Sequence, residues 1–393
     1  QQSVLESCLS SNLRFVWGPP GTGKTSSLAQ LVRSFVANNE RVLVLAHANA
    51  AVDVAMDRIA KVFAKSSELL EGKVLRIGVP QLPEVINNEF VLPEKILENR
   101  QPELVHQKAE LQGRLSTLFK SLKKLETKEQ KKAVAKGIDE IRKDLAAVNE
   151  SFRNALSGII KEAKVIGATL SKFIIDDQIW NWKPDVTVVD EASMAPFPSV
   201  MAAALQSRKR QMLFGDFRQL PPICISESTS AKLWLARDTF DIAGVKARID
   251  SDESDPRVKM LETQYRMSHD ICDVVSKLAY NGKLKTDPTV QSKVKQIIDI
   301  EPWSGHSVIL INTSGLSPIC FREPKTGSFS RINLIHCVLS TTFAQFALKA
   351  GSENIGIISP YRANARVSSY LNYKNCEKGL VTAATVHRFQ GSE

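Results

Sequence analysis

The 393-residue sequence contains no stretch of about 20 uninterrupted apolar residues, which is the length that a membrane-spanning helix needs. It also has no basic-then-apolar leader at its amino terminus, so no secretory signal is visible. We therefore expect an intracellular protein, cytoplasmic or nuclear, without a membrane partner. The sequence begins at Gln1 rather than at an initiator Met, which indicates a fragment or a processed product.

Cysteines are few, and internal repeats and low-complexity tracts are absent. The six cysteines include no C-x-x-C pair, which argues against a zinc ribbon or a disulfide framework and favours a reducing compartment. The sequence is 43% hydrophobic and 24% charged, as is typical of a soluble globular protein. The net charge of +10 favours a polyanionic partner, nucleic acid before a membrane surface, although a mildly basic protein without such a partner explains the charge equally well.

Short apolar runs alternate with helical patterns in the first half of the sequence, as in a parallel sheet built from β-α units. Residues 14–17 predict a strand, which is followed by a Gly-rich turn and a helix from about 25 to 37. The near-continuous apolar run 41–46 predicts a strand with helices on both faces. Further strands are predicted at 73–77, 165–168, 185–189 and 211–214.

The hydrophobic period changes between about residues 94 and 163. Apolar residues there follow a heptad-like spacing in two groups separated by a polar break. The groups are Leu111, Leu115, Leu118, Leu122 and Leu125, then Ile138, Ile141, Leu145, Val148 and Phe152. This pattern predicts an antiparallel helical hairpin that projects from the sheet domain.

The predicted hairpin tip is rich in lysine. It carries Lys120, Lys123, Lys124, Lys128, Lys131, Lys132 and Lys136 against only Glu126 and Glu129. Such a charge run is either a solvated face or a surface that contacts phosphates. The hairpin is thus a candidate contact for a nucleic-acid strand, a duplex end or a protein partner.

A second, smaller α/β domain is predicted after the acidic, turn-rich segment 250–256. Its strand-like runs are 308–311, 355–359 and 380–384, and its helical patterns cover about 330–350 and 363–373. The predicted organisation is a first domain over 1–93 and 164–250, the hairpin over 94–163, and a second domain over 257–393 that is incomplete at its carboxyl end.

A complete phosphate-binding loop of the form G-x-x-x-x-G-K-[ST] lies between a predicted strand and a predicted helix. Its residues are Gly18, Pro19, Pro20, Gly21, Thr22, Gly23, Lys24 and Thr25. The glycines let backbone N–H groups turn toward phosphate oxygens, and the helix adds its positive end. Lys24 should reach the β- and γ-phosphates, and Thr25 should hold Mg²⁺. The sequence therefore predicts that ATP, or another nucleoside triphosphate, binds here with Mg²⁺.

A metal-side carboxylate is expected at the end of another parallel strand, and Asp190 and Glu191 follow the apolar run at 186–189. Asp190 would anchor the water shell of Mg²⁺, and Glu191 would polarise the attacking water. An Asp-Glu pair after a strand is also a common helix cap, and the phosphate-binding loop decides between these readings in favour of catalysis.

Five further motifs occur in a fixed order. They are Ala46-His-Ala-Asn49-Ala-Ala-Val-Asp53, Asp190-Glu191-Ala-Ser193, Gly215-Asp216-Phe-Arg-Gln219-Leu220-Pro221, Gln264-Tyr265-Arg266-Met267 and Val386-His-Arg-Phe-Gln390-Gly391-Ser-Glu393. Together with the loop they resemble superfamily 1 helicases, and most of all the 5′-to-3′ branch that contains the nonsense-mediated-decay helicase. The resemblance implies tandem RecA-like parallel-sheet domains of the P-loop NTPase class, with the hairpin inserted in the first.

The resemblance also implies roles around the nucleotide. Gln1, or its neighbour Gln2, would read the adenine, and Gln219 would sense the γ-phosphate. Tyr265 would stack on the base, Arg266 would reach the γ-phosphate from the second domain, and Glu393 would contact the ribose. Tyr265 and Arg266 could instead form an ordinary surface pair. The family's last motif, with a second arginine, is absent from the sequence.

Nucleic-acid contacts are implied at four positions. Asn49 begins a predicted helix, where backbone N–H groups can hold a phosphate. Thr169 matches a family position near the strand path, and its alternative is a local cap at a strand end. Pro360 and Tyr361 match a corresponding position in the second domain. Because such contacts are to backbone and by stacking, they leave DNA and RNA equally open as substrates.

The sequence thus predicts an ATP-hydrolysing enzyme that moves along single-stranded DNA or RNA, with 5′-to-3′ polarity implied by resemblance alone. The catalytic residues would be Lys24, Asp190, Glu191, Gln219 and Arg266. The alternative is a nucleotide-gated clamp or a protein-remodelling ATPase that separates no strands, because such proteins share these motifs. The intact catalytic set argues against an inactive scaffold.

Overall fold

The computed structural model describes residues 1–122, 127–290, 292, 304–316, 319–323, 329–376 and 379–389. Leu125, Lys123 and Lys124 of the predicted hairpin, and Gln390 and Glu393 of the last motif, lie outside these described residues. The chain divides into two compact units, one comprising Gln1–Pro19 and Gly23–Leu261 and the other Pro20–Thr22 and Glu262–Glu393.

The first unit is built on a seven-stranded, fully parallel sheet with the strand order β3-β4-β2-β5-β6-β1-β7. In chain order the strands are β1 (Leu13–Trp17), β2 (Val42–Ala46), β3 (Val74–Arg76), β4 (Val165–Thr169), β5 (Val186–Val189), β6 (Arg210–Gly215) and β7 (Val258–Met260). Every residue of β2, β3 and β5 is buried, as expected for strands with helices on both faces.

Helices connect the strands and cover the sheet. In the first unit they are α1 (Gln2–Leu9), α2 (Lys24–Ala37), α3 (Asn49–Val62), α4 (Ser67–Leu70), α5 (Pro83–Ile86), α6 (Pro93–Arg100), α7 (Pro102–Leu122), α8 (Lys128–Glu162), α9 (Leu170–Ile175), α10 (Asp177–Trp180), α11 (Phe197–Gln206), α12 (Thr229–Leu235), α13 (Thr239–Ile242) and α14 (Val245–Asp250). The apolar faces of α2 and α3 pack in the main core, where Phe35 and Met56 are fully buried. Within the described ranges, no helix is both long enough and apolar enough to cross a membrane.

The two longest helices, α7 and α8, pack against each other in antiparallel directions. The Lys108 ammonium lies 3.5 Å from the centroid of the Phe152 ring, whereas Leu118, later in α7, approaches Gly137, earlier in α8. Their shared apolar cluster is separate from the main core, and its buried members are Leu111, Ile141 and Val148. The pair therefore has a small core of its own.

Within its described residues, the second unit contains three small sheets. Its strands are β8 (Thr263–Gln264), β9 (Lys285–Thr286), β10 (Cys320–Arg322), β11 (Arg331–Asn333), β12 (Ile355–Ser359) and β13 (Val381–Thr385), and its helices are α15 (His269–Ala279), α16 (Leu334–Lys349), α17 (Arg362–Asn375) and α18 (Val386–Phe389). A 3₁₀ turn spans Ser314–Leu316. The pairs β8–β9 and β12–β13 are parallel, and β10–β11 is antiparallel. Both units are thus α/β, as predicted.

Two predictions about the second domain are wrong. Residues 308–311 form no strand, and their side chains are exposed, with Leu310 94% accessible. A short apolar run alone does not identify a strand. The predicted boundary at residue 257 is also too early, because β7 pairs with β1, with Phe15 opposite Val258, and so belongs to the first sheet. The unit boundary lies after Leu261.

Candidate functional site

Three adjacent strands of the first sheet are each followed by a residue of the motifs quoted above. The neighbours β5, β6 and β1 are followed by Asp190, Asp216 and Gly18, respectively. Because all strands are parallel, these residues lie along one carboxyl edge of the sheet. In open α/β sheets this edge is where ligands bind.

The phosphate-binding loop joins β1 to α2 in a conformation that requires glycine. Gly23 precedes α2 with φ 76°, a left-handed conformation that costs glycine little. A Cβ on Gly18 would lie 2.9 Å from Cδ of Lys24, so the missing side chain lets Lys24 fold back over the loop. The loop therefore presents backbone and the first turn of a 14-residue helix, as an anion site needs.

Gln1, predicted to read the adenine, lies beside this loop. Its side-chain amide occupies the space that a Cβ on Gly23 would need. Its backbone carbonyl accepts hydrogen bonds from Val4 N and Leu5 N at 3.0 and 3.1 Å, which fixes the start of α1. The geometry therefore brings Gln1, and not Gln2, to the loop, since Gln2 bonds to Glu6 within α1.

Lys24 forms an ion pair with Glu191. The distance from Lys24 Nζ to Glu191 Oε1 is 2.6 Å, and the two side chains are only 12% and 22% exposed. Burial by itself would lower the pKa of Lys24, but the nearby carboxylates of Glu191, Asp190 and Asp216 raise it above the ordinary lysine value. Lys24 is therefore a fully charged ammonium held among carboxylates.

Asp190 is 3% exposed at the end of β5. Burial raises its pKa to about 6; the attraction of Lys24 opposes this effect and the repulsion of Glu191 adds to it. The Asp190 Oδ1 atom accepts a hydrogen bond of 2.9 Å from Glu191 N. Glu191 itself has a φ of 50°, an unusual conformation for a non-glycine residue. Strain of this kind recurs at functional sites, and here it accompanies the turn of Glu191 toward Lys24.

Thr25 follows Lys24 in the first turn of α2 and is half-buried. Its hydroxyl and the Asp190 carboxylate are hard oxygen ligands of the type that Mg²⁺ prefers. No group of three or more His, Cys, Asp or Glu side chains within the described part of the chain could hold a metal by itself. This donor set fits Mg²⁺, which takes most of its ligands from water and substrate phosphates.

Asp216 belongs to the motif at 215–221 without a predicted role of its own, and it lies at the centre of a buried network. Its Oδ1 accepts from Trp17 Nε1 at 2.9 Å, and its Oδ2 accepts from Gln219 Nε2 at 2.9 Å. Its own backbone N donates to Ser193 Oγ at 3.1 Å. Asp216 thus links the ends of β1 and β6 to Gln219, the predicted γ-phosphate sensor. The sequence signals for Asp216 are its place in the motif at 215–221 and its position after an apolar strand.

In the second unit, the segment 264–267 is organised by Gln264, which also had no assigned role. Its Oε1 accepts from the backbone N of Arg266 and of Met267, both at 2.7 Å. Its Nε2 donates to Thr286 Oγ1 at 2.9 Å, which joins this turn to β9. Gln264 is fully buried, whereas Tyr265 and Arg266 are exposed. The residues predicted to stack on the base and reach the phosphate therefore project from a fixed turn.

Two candidate nucleic-acid residues lie on the other half of the first sheet's carboxyl edge. Asn49 is the first residue of α3, directly after β2, and Thr169 is the last residue of β4. Thr169 Oγ1 accepts from Lys172 N at 3.1 Å and so caps α9. Its hydroxyl hydrogen can still be donated to a ligand. The strands β3, β4 and β2 are adjacent, so this group lies beside the nucleotide group on the same edge.

Pro360 and Tyr361 connect β12 to α17 in the second unit. Tyr361 N donates to Ser359 Oγ at 3.2 Å, and the Tyr361 ring is 40% exposed. The guanidinium carbon of Arg331 lies 5.8 Å from its centroid. An exposed ring beside a cation suits stacking on a nucleic-acid base.

The parallel sheet, the phosphate-binding loop and the carboxylates after β5 define a P-loop nucleoside triphosphatase with a RecA-like first domain. A family model described as an AAA domain matches residues 1–227, and a second AAA-domain model matches residues 247–393. The chain belongs to this family, and within it to the superfamily 1 helicases of the nonsense-mediated-decay helicase-like branch. The resemblance predicted from the motifs is thereby confirmed.

Several curated proteins are similar over most or all of the chain. An uncharacterized ATP-dependent helicase of Methanocaldococcus jannaschii is 27% identical over 430 residues, covering 100% of this chain and 61% of the relative. The DNA-binding protein SMUBP-2 of Rattus norvegicus is 26% identical over 408 residues, covering 100% of this chain and 38% of the relative. Helicase sen1 of Schizosaccharomyces pombe is 24% identical over 442 residues, covering 96% of this chain and 25% of the relative. The chain thus spans only part of each relative.

Proposed function

We propose that the protein is an ATP-dependent helicase or translocase that moves 5′ to 3′ along single-stranded DNA or RNA. The observation that carries this proposal is the division of one sheet edge into two halves. The nucleotide residues follow β5, β6 and β1, and the candidate nucleic-acid residues Asn49 and Thr169 lie at the ends of β2 and β4, on the adjoining half of the edge. A change at the phosphates could therefore be transmitted along one rigid sheet to the bound strand.

In this proposal Lys24 exchanges partners when ATP binds. Its ammonium, now 2.6 Å from Glu191, would move to the β- and γ-phosphate oxygens. Glu191 would then be free to accept a proton from the attacking water. Mg²⁺, held by Thr25 and Asp190, would supply charge neutralisation at the phosphates. The ion pair would thus keep the general base occupied until substrate arrives.

The remaining roles follow the same assignment. Gln219, fixed by Asp216, would sense the γ-phosphate, and Gln1 would contact the adenine. Tyr265 would stack on the base, and Arg266 would stabilise negative charge on the γ-phosphate. Glu393 would contact the ribose. Because Arg266 and Lys24 belong to different units, hydrolysis would require both units, which is how an ATPase cycle drives domain movement.

The first test is steady-state ATP hydrolysis by the protein with no nucleic acid, with single-stranded DNA and with single-stranded RNA. We expect at least one polymer to stimulate turnover, and the more effective one identifies the substrate class. Lys24→Ala should abolish hydrolysis and serves as the control for contaminating ATPases. Turnover that is indifferent to both polymers would overturn the motor and favour a protein-remodelling ATPase.

A strand-displacement assay separates a helicase from a nucleotide-gated clamp. Duplexes with either a 5′ or a 3′ single-stranded overhang are incubated with the protein and ATP. Displacement from the 5′ overhang alone is the expected result. Displacement from the 3′ overhang would contradict the polarity, and stimulated hydrolysis without displacement from either would favour the clamp.

A further inference from the structure

Arg76, the last residue of β3, has a fully buried side chain that the nucleotide site does not use. Its Nε donates to Asp53 Oδ1 at 2.6 Å, and both side chains of this ion pair are 0% exposed. Its Nη1 donates to the carbonyl of Ile77 at 2.6 Å. A charged guanidinium is buried only where its N–H groups have partners, so its position is closely determined.

Asp53, on α3, fixes the other side of this ion pair. Its Oδ2 accepts from the backbone N of Gln81 at 2.5 Å and of Leu82 at 3.0 Å. The carboxylate thereby ties α3 to the loop that follows β3. Asp53 and Arg76 together form a rigid bridge between two connections at the carboxyl edge of the sheet.

The same guanidinium reaches Asn49 in the first turn of α3. Arg76 Nη2 lies 3.0 Å from Asn49 Oδ1. A guanidinium has donors and no acceptor, so only the oxygen of the Asn49 amide can face it. The amide NH₂ group must then point the other way, and Asn49 is half-buried, with part of its surface open to solvent. The bridge thus orients the amide donor of a partly exposed residue away from Arg76.

Phosphate oxygens accept hydrogen bonds and never donate them at neutral pH, so the orientation of the Asn49 amide decides whether it attracts or repels a nucleic-acid backbone. We propose that Arg76 is a positioning residue for nucleic-acid binding, which holds the Asn49 amide with its NH₂ group toward a phosphate of the single strand. The inference rests on the proposed function, because it assigns Asn49 to the nucleic-acid contact. Arg76 itself would touch no nucleotide.

The test is equilibrium binding of a fluorescent single-stranded oligonucleotide, without ATP, to the wild-type protein and four variants. Asn49→Ala should weaken binding by roughly tenfold, the range for one hydrogen bond to a charged group. Arg76→Lys keeps a positive charge that can pair with Asp53. It lacks the second arm of the guanidinium, which donates to Asn49, so it should weaken oligonucleotide binding severalfold. In the double variant Asn49→Ala, Arg76→Lys, the second substitution should add little to the loss of affinity caused by the first.

The matched control is Asn38→Ala. Asn38 follows the carboxyl end of α2, and this variant should bind the oligonucleotide like wild type.

The double variant separates positioning from general structural damage. If the losses of oligonucleotide affinity from Arg76→Lys and Asn49→Ala add in the double variant, Arg76 does not act through Asn49. That result would overturn the inference. So would wild-type affinity in Asn49→Ala. Failure of the wild-type protein itself to bind any single strand would instead refute the proposed function.

A fifth variant covers the case in which Arg76→Lys does not fold. Asn49→Asp keeps an oxygen for Arg76 and so preserves the fold, but it replaces the outward NH₂ group with a second, negatively charged oxygen. Binding should fall further than in Asn49→Ala while the thermal midpoint stays at or above that of wild type. Wild-type affinity in Asn49→Asp would overturn the inference.

Discussion

Glu191 forms an ion pair with Lys24, with 2.6 Å between Glu191 Oε1 and Lys24 Nζ. Replacing the Glu191 carboxylate therefore affects both the ground state of the site and the reaction. Glu191→Gln removes the proposed base and also the charge that competes with phosphate for Lys24. We expect kcat to fall by about 10²-fold or more, the range for loss of a general base, while ATP affinity is kept or increases. Single-turnover hydrolysis and titration with a fluorescent ATP analogue measure the two effects separately.

The matched control for this variant is Glu227→Gln, because the Glu227 side chain is 90% exposed and lies outside the site. It should hydrolyse ATP at the wild-type rate. An unchanged kcat in Glu191→Gln would remove Glu191 from the chemical step, and a weakened ATP affinity at that unchanged kcat would assign it to binding alone.

The raised pKa of Asp190 makes a prediction about stability. With a pKa of about 6 in the folded state against 3.8 ordinarily, the folded protein binds more protons than the unfolded chain between these values. The contribution of the protonated Asp190 carboxyl to the free energy of unfolding is therefore fully present below about pH 4. It is lost as the pH rises through about 6. Relative to wild type, Asp190→Asn should gain stability over this window, by up to about 3 kcal/mol.

Urea unfolding from pH 4 to 7.5 with a metal chelator tests this dependence. Four of the five tryptophans (Trp17, Trp180, Trp182 and Trp234) lie in the first unit, so their fluorescence mainly reports its unfolding. The exposed residue Asp139 provides the control variant Asp139→Asn. A stability difference between Asp190→Asn and wild type that is constant across the pH range would contradict the prediction.

Residues with a fixed spacing in sequence were predictable, and those that work through distant contacts were not. The loop residues Gly18 to Thr25 are consecutive, so their chemistry can be derived from the printed sequence. Arg76 contacts Asp53 across 23 positions, and Asp216 contacts Trp17 across 199. Such pairs depend on which strands become neighbours, and no local pattern encodes that order.

At the scale of elements, strands β1 to β6 of the first sheet were predicted to within one residue at either end, whereas the three-residue strand β7 was not predicted. Their near-continuous apolar runs reflect burial on both faces, which is a strong signal. The short strands β8 to β11 were not predicted, because each has only two or three residues and β10 is exposed throughout. The run 308–311 was misassigned for the opposite reason, since it is apolar in sequence and yet lies exposed.

The helices α7 and α8 allow a test of the basic surface near residue 130. Lys131 and Lys132 lie in the first turns of α8 and are exposed. If both lysines contact phosphates, replacing them with Ala should change how binding depends on salt. The slope of the logarithm of the binding constant against the logarithm of the salt concentration should become shallower by about 1.4 for a single-stranded oligonucleotide. Oligonucleotide binding between 50 and 300 mM salt, a range of about 0.8 in log units, resolves that change.

The control pair for this experiment is Lys61 and Lys65, at and beyond the carboxyl end of α3. Since α3 starts at the carboxyl edge of the sheet and runs back across it, these exposed lysines lie away from the candidate binding edge. Their replacement removes the same charge and should leave the slope unchanged. An unaltered slope in the Lys131 and Lys132 variant would show that this part of α8 is a solvated surface.

At the scale of the whole molecule, the net charge of +10 would favour binding of the proposed polyanion, but it does not determine where on the protein the polyanion would bind. The placement comes from topology, because a parallel sheet brings the ends of all its strands to one edge. The two halves of that edge differ in chemistry. Carboxylates and Lys24 lie after β5, β6 and β1, whereas hydroxyl and amide groups lie after β4 and β2. The first suits a metal with phosphates, and the second suits a phosphate backbone.

The assignment of catalytic residues to two units gives the last prediction. Lys24, Asp190 and Glu191 belong to the first unit, and Arg266 belongs to the second, on the turn organised by Gln264. If Arg266 stabilises the transition state, Arg266→Ala should lower kcat by about 10²-fold or more with little change in ATP affinity. Arg322→Ala, which changes an exposed arginine of the same unit, should leave kcat unchanged. A weakened ATP affinity at normal kcat would make Arg266 a binding residue, and wild-type kinetics would mean that the first unit hydrolyses ATP without it.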